Sequence, residues 1–90
     1  MLFVGLAKVR AGTDQERVAR RLEWDYPEGV TLIGEYWLLT NDPSVVFIVE
    51  AEDPKVMMLG IAQWDDVLDI TYYPAVDSEE GIKFFKQAMS

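Results

Sequence analysis

The pattern of apolar and polar positions predicts two β-strands on either side of one loop in the middle of the chain. Residues 30–52 hold two apolar runs, rich in β-branched and aromatic residues, which flank the breaker cluster at residues 40–44. Apolar runs joined by a short polar loop predict a β-hairpin. Each run contains one carboxylate, Glu35 in the first and Glu50 at the end of the second. These two charged residues therefore need an explanation.

The chain before this hairpin predicts one strand and one helix. Residues 2–10 are apolar on both alternating sets, which is typical of a central strand covered on both faces. Thr13 and Glu16 have the spacing of a capping box at a helix start. The helix is expected to end at residues 24–26, because Pro27 disfavours helical geometry in the residue before it.

The chain after the hairpin predicts a second helix, a fourth strand and a C-terminal helix. Asp53 followed by Pro54 is typical of a helix start, and this helix is expected to run to about Gln63. Residues 67–73 read as a strand that ends at Pro74. The last helix is expected to begin at the acidic segment 77–80 and to carry an exposed apolar face.

The order of elements is β-α-β-β-α-β followed by a helix, which predicts a single α+β domain over residues 1–90 with the ferredoxin-like arrangement. Right-handed crossovers place both main helices on one face of a four-stranded antiparallel sheet. The other face is predicted to be apolar, so the C-terminal helix, the same face of a second subunit, or both must cover it. We predict a homodimer in which two sheets meet as a combined barrel.

Four segments of the chain carry a resemblance to a known family. They are MLFVGLAKV, YPEGVTLIGEYWL, VVFIVEAEDP and AQWDDVLDITYYPAVDSEE. With them the chain resembles the family catalogued as domain of unknown function 3303, which is similar to the dimeric α/β-barrel group of ferredoxin-like proteins. The resemblance implies the fold and dimerisation, and it implies no catalytic residue. The wider group includes small monooxygenases, haem-handling enzymes and isomerases.

Composition narrows the classes of partner and chemistry. Sixteen acidic and eight basic residues give a formal charge of −8, which disfavours nucleic acid and anionic membrane surfaces. The chain has no cysteine and no histidine, so thiolate chemistry and a histidine-dependent haem site are excluded. No apolar run reaches the roughly 18 residues of a membrane span. We expect an acidic cytoplasmic protein without a cofactor.

Glu35, Trp37 and Glu50 form the first candidate site. Glu35 and Trp37 share one strand face, and the hairpin register decides whether Glu50 lies near them. In a space between two sheets these carboxylates would be desolvated, with raised pKa values, and would suit a general base or a ligand anchor. The alternative places Glu35 on an edge strand in water, where its charge discourages aggregation.

Tyr73 is the second candidate. Neighbouring residues in a strand face opposite ways, so only one of Tyr72 and Tyr73 can face a cavity. If Tyr73 does so, Asp69 and Thr71 accompany it. The alternative role is packing at an interface. The acidic pairs lack the spacing of a divalent-cation loop, so no metal site is predicted.

These observations leave three functional hypotheses in order of preference. The first is a non-catalytic homodimeric module that binds a small molecule or a protein partner. The second is a small cofactor-independent enzyme, similar to a monooxygenase or an isomerase, with Glu35 as the base and with Trp37 and Tyr73 as walls. The third is a structural or regulatory protein whose C-terminal helix docks into a partner. The sequence specifies neither the ligand nor the partner.

Overall fold

A computed structural model describes all residues 1–90 and has eight regular elements. In chain order they are β1 (Leu2–Val9), α1 (Asp14–Glu23), β2 (Val30–Trp37), β3 (Val45–Ala51), a 3-10 turn (Pro54–Val56), α2 (Met57–Trp64), β4 (Leu68–Ala75) and α3 (Ser78–Ala88). The predicted α+β, ferredoxin-like order is therefore confirmed, with α3 added at its C-terminal end.

The four strands form one sheet in the order β2-β3-β1-β4, with every neighbouring pair antiparallel. β1 is central, as predicted, and β2 and β4 are the edges. β4 runs past Pro74, where the sequence predicted its end. A proline is tolerated there because an edge strand does not need every amide for the sheet.

The hydrophobic core lies on the face of the sheet that α2 covers. β1 and β3 supply core residues at alternate positions, the first residue of β4 adds one more, and α2 with the loop after it supplies the remainder. The buried core residues are Phe3, Ala7, Phe47, Val49, Ala51, Met57, Trp64, Val67 and Leu68. α1 contributes none of them, so this first helix is held in another way.

Arginine side chains, not an apolar stripe, attach α1 to the rest of the molecule. Arg20 donates hydrogen bonds of 2.8 Å to both carboxylate oxygens of Asp66 and to the backbone oxygen of Gln63. Its guanidinium also lies 5.2 Å from the ring centre of Trp64. The apolar residues Val18 and Leu22 stay 45% and 77% exposed. The long arginines bridge a gap, so α1 stands away from the sheet.

Two of the three predicted helix caps are present. Asp53 accepts a hydrogen bond of 2.9 Å from the Lys55 amide, and Asp77 accepts one of 2.8 Å from the Glu80 amide. The capping box predicted at Thr13 is wrong. The Thr13 hydroxyl accepts a hydrogen bond of 2.9 Å from the Arg17 side chain and donates one of 2.7 Å to the Arg10 backbone oxygen, and it accepts none from the α1 amides.

A β-bulge interrupts β2 and reverses which side its residues face. Leu32 is opposite Val49, whereas Gly34 is opposite Ile48, so one residue of β2 has no partner in β3. A glycine inside a strand often marks a bulge or a close backbone approach, and Gly34 lies at this irregularity. Because the side-chain period of a strand is two, the extra residue moves Glu35 onto the helix-covered face.

The opposite face of the sheet carries an apolar patch, which we call the open face. It is formed by Val4, Leu6, Tyr36, Val46, Ile48 and Tyr73, which lie in two adjacent rows across the strands. α3 buries none of its residues and makes no extensive contact with any other element. The C-terminal helix therefore does not cover the sheet of its own chain.

Replacing Gly5 by alanine is expected to lower the free energy of unfolding by about 1–3 kcal/mol. A Cβ at Gly5 would lie 2.2 Å from the ring of Phe47, a core side chain that packs directly over this glycine. Urea denaturation measures the loss. Gly81→Ala is the matched control, because nothing lies within 4 Å of that position, and an unchanged or raised stability is expected there. Equal destabilisation by both variants would contradict the assigned role of Gly5.

Candidate functional site

A cavity of about 270 Å³ lies between α1 and the sheet, and we call it the helix-side cavity. Twelve of its seventeen lining residues are hydrophobic, so its surface is mainly apolar. It exists because α1 is held off the sheet by its arginines. At the β2 edge the wall is formed by Trp37, Leu38 and Leu39, which are all exposed, so this end faces solvent.

The four strands of the sheet align the polar and aromatic groups of this cavity. Glu35 of β2 is opposite Phe47 of β3, Phe47 is opposite Gly5 of β1, and Gly5 is opposite Tyr72 of β4. These four residues form one row, with Phe47 in the middle. At about 4.8 Å between strands, Glu35 and Tyr72 are attached to the sheet roughly 14 Å apart. The cavity thus has an ionic end and a phenolic end.

Glu35 is the centre of the ionic end. Arg21 donates to both of its carboxylate oxygens, from Nε at 3.0 and 3.2 Å and from an Nη at 3.0 Å. The Tyr26 hydroxyl donates at 2.6 Å and the Trp37 indole at 2.8 Å. The side chain of Glu35 is only 12% exposed and that of Arg21 is 29% exposed. Glu35 is therefore a nearly enclosed and fully paired carboxylate.

These partners set the protonation state of Glu35. Burial, the largest single influence, would raise the pKa of this carboxyl, but the hydrogen bonds from Arg21, Tyr26 and Trp37 together hold the pKa below its usual value. A raised pKa was predicted for a carboxylate between two sheets, whereas Glu35 lies on the helix-covered face and its pKa is lowered. Desolvation of this carboxylate was expected from the sequence, but the hydrogen bonds from the Arg21 guanidinium of α1 were not. Glu35 is charged at neutral pH.

A pH dependence of stability follows from this lowered pKa. A carboxylate with a folded-state pKa below its unfolded value near 4.5 stabilises the fold above that pH and ceases to do so as the pH falls through the folded pKa. We expect Glu35→Gln to melt well below the wild type at pH 7, and the two melting temperatures to converge as the pH falls below 4.5 and through the folded-state pKa of Glu35. Thermal unfolding followed by circular dichroism measures this. Glu52→Gln, which alters an exposed carboxylate, should follow the wild type throughout, and a gap that widens in acid would contradict the assignment.

All three tryptophans of the chain line the helix-side cavity. Trp24 packs edge-on against Trp64, with ring centres 5.6 Å apart, and against Tyr26 at 4.7 Å. The Trp24 indole donates to the Gln63 side chain at 2.8 Å, and the Trp37 indole donates to Glu35. Any molecule that enters the cavity therefore contacts groups whose fluorescence and NMR signals can be followed.

Tyr72 is the phenolic end of the cavity. Its ring packs edge-on against Phe47 and Phe3, with ring centres 5.4 and 6.4 Å away. Burial raises the pKa of Tyr72 to about 12, and no charged or hydrogen-bonding neighbour contributes to that shift. The phenol is therefore a protonated hydrogen-bond donor at any physiological pH.

The candidate residues named from the sequence separate onto two faces. Glu35 and Trp37 lie together in the cavity, but Glu50 and Tyr73 lie on the opposite face of the sheet. Glu50 lies opposite Thr31 in the hairpin, far from Glu35. Its carboxylate accepts a hydrogen bond of 2.6 Å from the N-terminal amine and forms an ion pair with it. Tyr73 follows Tyr72 in β4, so it must point the other way, and it is 52% exposed. The hairpin register therefore keeps Glu50 away from Glu35 and Trp37, and Tyr73 is not a wall of the cavity that holds those two residues.

Several cavity residues were not predicted from the sequence, although the sequence contains a signal for one of them, Tyr72. In β4 the polar residues Asp69 and Thr71 alternate with Ile70, which assigns Tyr72 to the apolar side. No comparable signal exists for Arg21, since its contact with Glu35 depends on the bulge in β2.

The cavity holds no cluster of side chains that could bind a metal ion. No three Asp or Glu side chains converge at any point in the structure. The cavity's three charged residues are Arg17, Arg21 and Glu35, and each is engaged with another protein group.

No helix is both long and apolar enough to traverse a bilayer.

Comparison with known proteins shows the family of this chain. The family model described as domain of unknown function 3303 matches residues 1–89, so the chain belongs to that family. The resemblance noted in the sequence is confirmed. No curated protein and no solved structure matches the chain.

Proposed function

We propose that this member of the domain of unknown function 3303 family is a homodimeric protein that binds a small molecule in the helix-side cavity without catalysis. The observation that supports the proposal best is the cavity itself, about 270 Å³ in volume and mainly apolar. Small-molecule sites are concave and apolar, with a few convergent polar groups, and this cavity fits that description. Its volume is below that of most sites for drug-sized molecules, which favours a compact ligand.

The state of Glu35 supports binding over catalysis. A general base needs a free lone pair and a pKa near the working pH. Glu35 has a lowered pKa, and its oxygens accept hydrogen bonds from three side chains. Its role in this proposal is to hold α1, β2 and the Trp37 wall in position around the ligand.

The open face supports the homodimer. Four strands about eight residues long present a face of roughly 19 by 27 Å, so two such faces bury about 1,000 Å² in total. That area is at the lower end for specific interfaces, and more apolar surface is needed for a stable dimer. Ile82, Phe85 and Met89 on one side of α3 are all more than half exposed and supply it. In this arrangement α3 packs on the partner subunit.

Native mass spectrometry of freshly purified protein tests both parts together. The proposal expects a dimer of the 10.3 kDa chain, with additional mass from a bound small molecule that is lost on collisional activation. The denatured sample is the control, and it should contain only the chain mass. A monomer at micromolar concentration would contradict the dimer. A dimer that neither carries a ligand nor takes up small aromatic compounds would contradict the binding function and favour a structural role.

A further inference from the structure

The wall of the helix-side cavity has no uncompensated charge. Glu35 is paired with Arg21, whose remaining Nη donates to the Trp24 backbone oxygen at 3.0 Å. Arg17 donates to the Thr13 hydroxyl at 2.9 Å and to the Asp14 carboxylate. An ionised ligand would lose its hydration on entry and find no free opposite charge, which is strongly unfavourable. The cavity therefore favours a neutral ligand.

Of the two phenols in the wall, Tyr72 has the hydroxyl that is left for a ligand, and the wall's other unengaged donors are the Ser44 hydroxyl and the Trp64 indole. The other phenol of the cavity, Tyr26, already donates to Glu35. Tyr72 forms no such bond, and its ring is fixed between Phe47 and Phe3. A fixed, protonated phenol beside apolar walls suits a single oxygen or nitrogen acceptor.

Gly60 of α2 keeps the space in front of this hydroxyl open. A Cβ at that position would lie 3.8 Å from the Tyr72 oxygen, in ordinary van der Waals contact. Any side chain larger than alanine would therefore cover the phenol from the helix side. Gly60 is buried and lines the cavity, so its missing side chain directly increases the room near Tyr72.

The volume and the lining together define a size and a shape. An apolar cavity of about 150 Å³ in another protein binds benzene, so about 270 Å³ suits a molecule of roughly two fused rings. The walls carry three indoles and two phenols besides Phe47. Aromatic side chains of this kind prefer offset and edge-on contacts with a flat partner.

We propose that the helix-side cavity selects an uncharged, flat molecule of about two rings whose single polar group hydrogen-bonds to the hydroxyl of Tyr72. This inference rests on the proposed function, because it specifies the ligand class of the same cavity. It assigns Tyr72, and not Glu35, as the residue that decides specificity. Glu35 and its partners form the wall at the other end.

Three probes of one shape test the inference: 1-naphthol, 1-methylnaphthalene and, at pH 7, the anion 1-naphthoate. Binding is measured by calorimetry, and the three tryptophan indole N–H signals in NMR spectra report occupation of the cavity. The wild type is expected to bind 1-naphthol about two- to tenfold more tightly than 1-methylnaphthalene. It should bind 1-naphthoate at least about tenfold more weakly than 1-naphthol.

The Tyr72→Phe variant should abolish the preference for 1-naphthol while it keeps the affinity for 1-methylnaphthalene. Tyr73→Phe, which removes a hydroxyl from the opposite face, is the matched control and should keep the preference. Near-ultraviolet circular dichroism verifies the fold of both variants. Equal affinities for the two neutral probes in the wild type, or tighter binding of the anion, would overturn this inference and leave the binding function intact. If no probe shifts any indole signal, the proposed function and the inference are both overturned.

Discussion

Replacement of Glu35 by leucine is expected to lower the free energy of unfolding by about 3 kcal/mol. The change leaves the Arg21 guanidinium, the Tyr26 hydroxyl and the Trp37 indole without the acceptor that they share. Both members of the ion pair are largely enclosed, so water replaces the lost bonds only in part. Urea denaturation at pH 7 and at one fixed protein concentration measures the effect.

Two further variants separate the loss of the pair from the loss of one side chain. The double variant Arg21→Met, Glu35→Leu should recover part of the stability, because removal of both charges leaves no unpaired ion in the cavity wall. Glu16→Gln alters an exposed helical pair with Arg20 and should change stability by no more than about 0.5 kcal/mol. A loss at Glu35 no larger than the loss at Glu16 would show that the paired carboxylate is not a structural centre.

The fold was predictable because each helix and strand is specified by residues within it or next to it. The order of elements follows from apolar runs, from Pro27 and Pro54, and from the acidic caps before α2 and α3. The central position of β1 follows from its apolar residues on both alternating sets. Each of these signals lies within a few residues of the feature that it predicts, and the chain contains no conflicting signal of similar strength.

The site was predictable only in part because its geometry depends on one inserted residue. Without the bulge at Gly34, strict alternation would have put Glu35 on the open face of the sheet, away from the face that carries Val45, Phe47 and Val49. A glycine inside a strand is consistent with a bulge, but the direction in which Glu35 turns also depends on the register with β3. The contact with Arg21 depends on the distance of α1 from the sheet, which no short segment encodes.

The behaviour of α1 has the same physical origin. Its pattern of Val18 and Leu22 predicts burial, yet its arginines find acceptors on two different elements, Glu35 on β2 and Asp66 after α2. Long side chains that reach acceptors at a distance compete with close apolar packing. In this protein the arginine contacts determine the position of the helix, and a cavity is the result. The fold and the candidate site therefore share one cause.

Replacement of Ile48 by aspartate is expected to convert the proposed dimer into a monomer and to weaken association by at least about a hundredfold. Ile48 lies in the open face beside Val4, its partner across the strand pair. In the proposed dimer this face is covered by the same face of a second subunit, so both copies of the new charge would lose their hydration. Burial of an unpaired carboxylate costs several kcal/mol, which exceeds the contribution of a single apolar contact. Sedimentation velocity over a range of concentrations measures the change.

Met58→Asp is the matched control for this prediction, because it places the same charge on the outer surface of α2, where Met58 is 67% exposed. That variant should sediment as the wild type does. The two results together distinguish a specific interface from a general effect of greater negative charge on a chain that already carries a formal charge of −8. If Ile48→Asp and Met58→Asp leave the same dimer intact, the subunits associate through a surface other than the open face. The barrel arrangement would then be wrong, although the helix-side cavity, which lies on the other face of the sheet, would be unaffected.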